Sequence, residues 1–262
     1  MSFYYRVQAA TKASLIHLLC SLVVVGLVAA LVFLIWYPHP YGLLSGGLGL
    51  FAILITADLI CGPVLTLVLF NPQKPRREII TDIALVTVIQ LLALGYGIHT
   101  VYQARPLFLV HEIDRFSVVG KPEYQGHEVG SSLDALPEQM RSDWFRRPIV
   151  VGIRDPKNPT ERQIVMFDSL QGGRDYSQRP EFYIPYDRDY QNKVLARAKP
   201  LRKFLTHYPS VMDEALNIAK QTGISVDECL FLPVHHRQDW IVVLDQSAKI
   251  IGFLPGDGFI AM

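Results

Sequence analysis

One carboxylate, Asp58, sits inside a run from Ala13 to Phe70 that holds no other acid and no Lys or Arg. An ionisable group among so many apolar residues costs about 2.5–3.5 kcal/mol on membrane-insertion scales, so it must face protein or water and not lipid. Two roles fit it: a carboxylate that binds a partner or moves a proton, or a structural hydrogen bond to a neighbour such as His17, His99 or Thr56. Gly62-Pro63 follows one turn later and predicts a kink, with carbonyls freed close to the acid. Small residues provide a second pattern. Gly42 and Gly46 are four apart, Ser45 and Gly49 repeat the spacing, and so do Ala93 and Gly97. Small side chains at this interval let helices approach closely, either within one protein or against a foreign helix. The candidate intramembrane contacts are therefore Asp58, Gly42, Gly46 and Gly49.

Enzymatic patterns are lacking elsewhere. There is no GxSxG, P-loop, HExxH or CxxC, so no catalytic residue, cofactor or metal ligand is expected. His235 and His236 are adjacent on an expected strand, where neighbours point to opposite faces, which disfavours shared metal binding. Cys229 lacks an activating partner and reads as a small core residue. Arg188, Lys193, Arg197, Lys199, Arg202 and Lys203 form a basic stretch, by default a solvated face, alternatively a contact for anionic headgroups.

The elements that must carry these residues fall into two classes. No Asp, Glu, Lys or Arg occurs between Lys12 and Asp58, nor between Ile83 and Gln103. Helices on the surface of a water-soluble fold need a polar face, whereas about 20 predominantly apolar residues are what a bilayer requires. Three transmembrane helices are expected over about 13–36, 43–70 and 79–102. A secretory signal is disfavoured for the first, because its apolar run is too long and no small-x-small site follows. It ends instead in Trp36-Tyr37-Pro38-His39-Pro40-Tyr41, aromatics suited to the headgroup level with prolines that stop a helix.

Lys and Arg set the orientation. Arg6 and Lys12 precede the first span, and Lys74, Arg76 and Arg77 lie between the second and third; the first connection has no charge. Lys74, Arg76 and Arg77 are thus the topology determinants: they and the N-terminus stay in the cytoplasm, and residues 106–262 emerge on the far side. In a Gram-negative bacterium that side is the periplasm. Cys229 is the single thiol outside the spans, so no disulfide is expected there.

Residues 1–105 form the three-span part, with six Lys/Arg and three Asp/Glu, and residues 106–262 hold 19 and 21. The near-neutral second part argues against nucleic acid as a partner, and about 155 residues suffice for one hydrophobic core. Strands are expected over 107–119, 149–153, 163–167, 230–234, 240–245 and 249–254, the last two joined as a hairpin. Residues 171–186 read as loop. Val194, Ala198, Leu201 and Leu205 recur at helical spacing, with Pro200 starting, stopping or kinking a helix. A further helix should be capped by Ser210, carry Asp213 and Glu214 in its first turn and end at Gly223. The fold class is a membrane protein, three N-terminal transmembrane α-helices followed by a soluble α+β domain.

The stretches WYPHPYGLLSGGLGLFAILITADLICGPVLTLVLFNPQK and DIALVTVIQLLALGYGIHTVYQARPLFLVHEIDRFSVV resemble the type IV pilin accessory proteins, the TfpX, TfpY and TfpZ group. The resemblance covers roughly residues 10–120. It implies a non-enzymatic, chaperone-like accessory of the bacterial inner membrane that helps type IV pili assemble or cycle, and with them twitching motility. The implied partners are the major pilin, the lipid bilayer and other pilus assembly proteins. The alternatives are a membrane-anchored sensor or signalling component, a small transporter, or a membrane enzyme with a periplasmic domain. A sensor would need a cytoplasmic output module, for which about 12 N-terminal residues and a short basic loop leave little material.

Overall fold

A computed structural model describes residues 3–124 and 129–261, and their contacts separate into two compact units: Met1–Pro38 with Gly46–Ala104, and His39–Ser45 with Arg105–Met262.

The first unit is a bundle of three long helices. Helix α1 (Phe3–Leu31) continues into a π-helical turn over Val32–Trp36, closed by Tyr37 N–H donating to the Val32 carbonyl at 2.7 Å. After the short helix α2 (Tyr41–Leu44), which belongs to the second unit, come α3 (Gly47–Leu69) and α4 (Arg76–Gln103). At 1.5 Å per residue the shortest, α3, is about 34 Å long, enough for a hydrocarbon layer of about 30 Å. Their outward residues are apolar, for example Ile53, Leu92 and Tyr96, each at least 69% exposed. A three-helix membrane anchor is what such surfaces are for.

One expectation is corrected here. The second helix starts at Gly47, not near residue 43, because Gly46 adopts φ 72° and breaks the chain there. Of the aromatic cluster, Trp36 and Tyr37 belong to the bundle core: both are fully buried, Trp36 meets Tyr102 edge-on, and the Tyr37 hydroxyl donates to the Val101 carbonyl. Gly47 makes this packing possible, since a Cβ there would run into the Tyr37 ring.

In the second unit, strands β1 (Pro106–Glu112), β2 (Arg115–Gly120), β3 (Ile149–Ile153), β4 (Tyr183–Pro185), β5 (Lys199–Pro200), β6 (Leu230–His235), β7 (Trp240–Leu244) and β8 (Ile250–Pro255) form one mixed sheet. Its order is β4-β3-β1-β2-β6-β7-β8, with β5 antiparallel to the start of β6. Pairs β1–β3 and β2–β6 are parallel; the others are antiparallel. Both faces are covered, so alternate residues feed two cores. Leu232, Val234, Val242 and Leu244 pack with Tyr190 and Val194 of α7 (Arg188–Leu195), whereas Phe231, Ile241 and Val243 pack with α8 (Leu201–His207) and α9 (Met212–Thr222). Tyr41 and Leu44 of α2 complete the first core, Tyr41 edge-on to Phe253. A third cluster joins Phe108, Val110 and Val151 to Leu136, which follows α5 (Val129–Asp134), and Met140.

Residues 163–167 are not a strand but part of α6 (Pro159–Leu170). The start signal outweighs the β-branched residues: Asn158 Oδ1 accepts the Glu161 N–H at 2.8 Å, and Pro159 occupies the first helical position. The region expected to be loop, 171–186, contains the edge strand β4, too short to leave a periodic signature. Ser210 lies in a 3₁₀ turn ahead of α9 and caps nothing, while Gly223 ends that helix at φ 73°. Asp245 nucleates the β7–β8 turn by accepting N–H bonds from Ser247 and Lys249.

Candidate functional site

The polar groups of the bundle gather on α3, which packs against both α1 and α4. Asp58 is 9% exposed and Gln90 of α4 is 8% exposed. The Gln90 amide donates to the Asp58 backbone carbonyl at 3.1 Å and to Oδ1 of its carboxylate at 3.3 Å. Closeness depends on Gly62, where a Cβ would collide with that amide. One turn further on, Ser14 of α1 donates to the Pro63 carbonyl at 2.8 Å, and His17 Nδ1 lies 2.6 Å from the Thr66 hydroxyl. Thus α3 is tied to α4 through the carboxylate and to α1 around the proline.

Between these ties lies a groove of about 440 Å³, lined by Asp58, Gln90, His17, Thr66, Ser21 and Thr87 with aliphatic neighbours from α1 and α4. Among the described residues the carboxylate receives only the long Gln90 bond from a side chain. An acceptor with spare lone pairs therefore faces a slot that mixes aliphatic side chains with a few hydroxyls, an amide and an imidazole. Such a slot suits an apolar helix bearing a hydrogen-bond donor, because a polar contact within the hydrocarbon cannot be replaced by water.

The sequence candidates are thus partly brought together. Asp58 is at the groove. Its partner is none of the three considered: His17 pairs with Thr66, Thr56 bonds the Ala52 carbonyl, and His99 approaches Gln103. Gly42 lies in α2 and Gly46 is left-handed, so these two do not share a helix face despite their spacing. Gly49 is on α3, and a Cβ added there would meet nothing within 4 Å, whereas Gly97 seats Leu54. Lys74 pairs with Asp82 at 2.5 Å; Arg76 and Arg77 are exposed at the start of α4. Gln90 was missed, although a lone amide in the charge-free run between Ile83 and Gln103 was a visible signal.

In the second unit, His235 and His236 border one cavity of about 250 Å³, because β6 ends at His235 and strand alternation no longer applies to its neighbour. No cluster of three metal-ligating side chains occurs among the described residues. Cys229 is fully buried, and burial raises its thiol pKa, which makes it inert.

A family model described as fimbrial assembly protein FimB matches residues 5–46. The chain is 35% identical over 257 residues to the fimbrial assembly protein of serogroup I of Dichelobacter nodosus, covering 97% of this chain and 98% of the relative. The serogroup E1 protein of the same organism is 34% identical over 257 residues, with the same coverage. The protein of serogroups C1 and C2 is 42% identical over 133 residues, 51% of this chain and 96% of that relative. No solved structure matches.

Proposed function

The chain belongs to the fimbrial assembly protein family, and from that premise we propose that it is a non-enzymatic accessory of the bacterial inner membrane that promotes type IV pilus assembly by holding the major pilin. The observation that carries the reading is the groove on α3, where Asp58 offers an acceptor to an apolar helix. A pilin stored in the membrane has one apolar helix and a head outside it. A bundle plus an extramembrane domain can engage both parts, and two linked contacts raise avidity without either being strong. Asp58 and the open Gly49 face of α3 are the proposed helix contacts.

In this reading residues 1–105 are the membrane part and residues 106–262 the periplasmic domain, with Lys74, Arg76 and Arg77 holding their loop in the cytoplasm. The packing of His39–Ser45 with Arg105–Met262 fits three spans, which put both segments on one side of the bilayer in either orientation of the bundle. Other pilus assembly proteins and the bilayer are the remaining partners.

A photo-crosslinking residue at Thr87, inside the groove, tests this in living cells. Capture of the major pilin, lost with Asp58→Leu while protein levels hold, is the expected result. A groove that never captures pilin, together with normal surface pili in a deletion strain, refutes it.

A further inference from the structure

A second groove, of about 600 Å³, lies in the sheet unit between the β1–β2 turn, α6 and α7. That volume falls in the ordinary range of ligand sites. Its charges do not cancel locally. Arg154 is paired with Glu161 at 2.9 Å, Lys193 with Asp155 at 2.7 Å, and Glu112 with Arg115 at 3.6 Å. Arg162 and Arg197 also line the groove and have no ion pair or side-chain hydrogen bond among the described residues. Two unmatched guanidinium groups facing one cleft are suited to carboxylates, which they grip in bidentate fashion.

Two further observations point to an occupant. His111, 2% exposed, places Nδ1 3.0 Å from the Tyr190 hydroxyl, and its Nε2 is buried with no hydrogen-bond partner. Burial lowers the imidazole pKa to about 4, so the ring is neutral. The Tyr190 hydroxyl also reaches the His111 carbonyl at 3.2 Å and has one proton to give, so Nε2 lacks an acceptor in one tautomer and a donor in the other, and in either it is an unfilled polar position on a residue that lines the groove. Beside it, Ile113 at the hairpin tip is held at φ 57° and is 64% exposed. A left-handed conformation costs a non-glycine residue about 1–2 kcal/mol, more for a β-branched one, and so exposed a side chain has little packing to offset it. Met166 of α6, 47% exposed, lines the same groove, and Phe167 and Leu170 extend an apolar surface from it.

We propose that this groove binds an extended, carboxylate-bearing segment of a partner protein, with acidic side chains on Arg162 and Arg197 and apolar side chains on Ile113 and Met166. A small anion would leave the apolar positions unused. A nucleic acid would need far more unpaired cations than this near-neutral unit holds. The site is separate from the membrane groove, and its failure would leave the pilin-helix reading standing.

The test is fluorescence anisotropy with the full-length protein in nonionic detergent and a labelled octapeptide of alternating aspartate and leucine. Binding at least tenfold tighter than for the asparagine–leucine peptide is expected. The double variant R162E/R197E should weaken it tenfold or more, while R188E, in the same basic stretch but outside the groove, should leave it unchanged. Ile113→Gly should weaken binding about threefold although it relieves the backbone, so misfolding cannot explain the loss. No binding of the aspartate peptide, equal binding of both peptides, or indifference to R162E/R197E overturns the proposal. So does displacement by short-chain phosphatidylglycerol combined with indifference to Ile113→Gly, which would assign the groove to a lipid headgroup.

Discussion

The Asp58 carboxylate and the Gln90 amide form a contact that depends on the absence of a side chain at Gly62. Gln90→Leu leaves the acceptor without that donor; intramembrane hydrogen bonds average about 0.6 kcal/mol and reach about 1.7, so a loss of about that size is expected in unfolding of the detergent-solubilised protein. Asp58→Asn keeps a polar group and should cost less stability, yet it should lower surface pilus number if the charge engages a partner. Wild-type piliation in both Asp58→Asn and Asp58→Leu would remove Asp58 from the mechanism. The glycines separate folding from docking. Gly46→Leu must strain a backbone at φ 72°, whereas Gly49→Leu enters open space. Gly49→Leu should therefore leave the melting temperature unchanged and reduce piliation, and unaffected piliation would exclude that face as a docking surface.

Helix α6 shows how an element is decided at its ends. Asn158 caps it and Glu161 binds Arg154 with both oxygens while accepting the Lys157 N–H. Asn158→Ala should cost about 1 kcal/mol, read as faster amide hydrogen exchange across α6. The hydrogen bond from Arg154, then that from Lys157, lower the Glu161 pKa from 4.5 to about 2. The folded value lies below the unfolded one, so the contribution is complete above about pH 4.5 and disappears as pH falls through about 2. Intrinsic-rate-corrected exchange in α6 should thus be flat between pH 7 and 5 and rise toward pH 3, and Glu161→Gln should flatten that rise. A rise of equal size in the Gln variant would assign it to another group.

For the whole molecule, the short segment His39–Ser45 matters out of proportion to its length. Tyr41 is buried in the sheet unit against Phe253. Tyr41→Ala should destabilise that unit by about 3 kcal/mol, as aromatic truncations in cores do, seen as a lowered unfolding midpoint for β-sheet circular dichroism. An unchanged midpoint would mean the segment merely rests on the surface. Orientation is tested by fusing alkaline phosphatase after Met262. An active fusion is expected because Lys74, Arg76 and Arg77 retain their loop in the cytoplasm, and an inactive but intact fusion would reverse the topology.

What the sequence alone determined is whatever depends on local composition. About twenty apolar residues in a row specify a membrane span wherever the rest of the chain goes, and apolar runs in β6 and β7 specify strands buried on both faces. The family resemblance, too, rested on contiguous stretches. Residues 163–167 misled because Ile164 and Val165 suggest a strand while the decisive cap lies upstream, at Asn158. Which distant groups meet depends on the three-dimensional packing. Asp58 and Gln90 are 32 positions apart and His17 and Thr66 are 49 apart; each contact depends on how a helix is rotated about its own axis. That rotation follows from the summed packing of Tyr37 on Gly47, Leu54 on Gly97 and Gln90 on Gly62. The same holds for Arg197, part of a basic stretch that reads as a solvated face, which the fold places with Arg162 on one groove, neither with a counterion among the described residues.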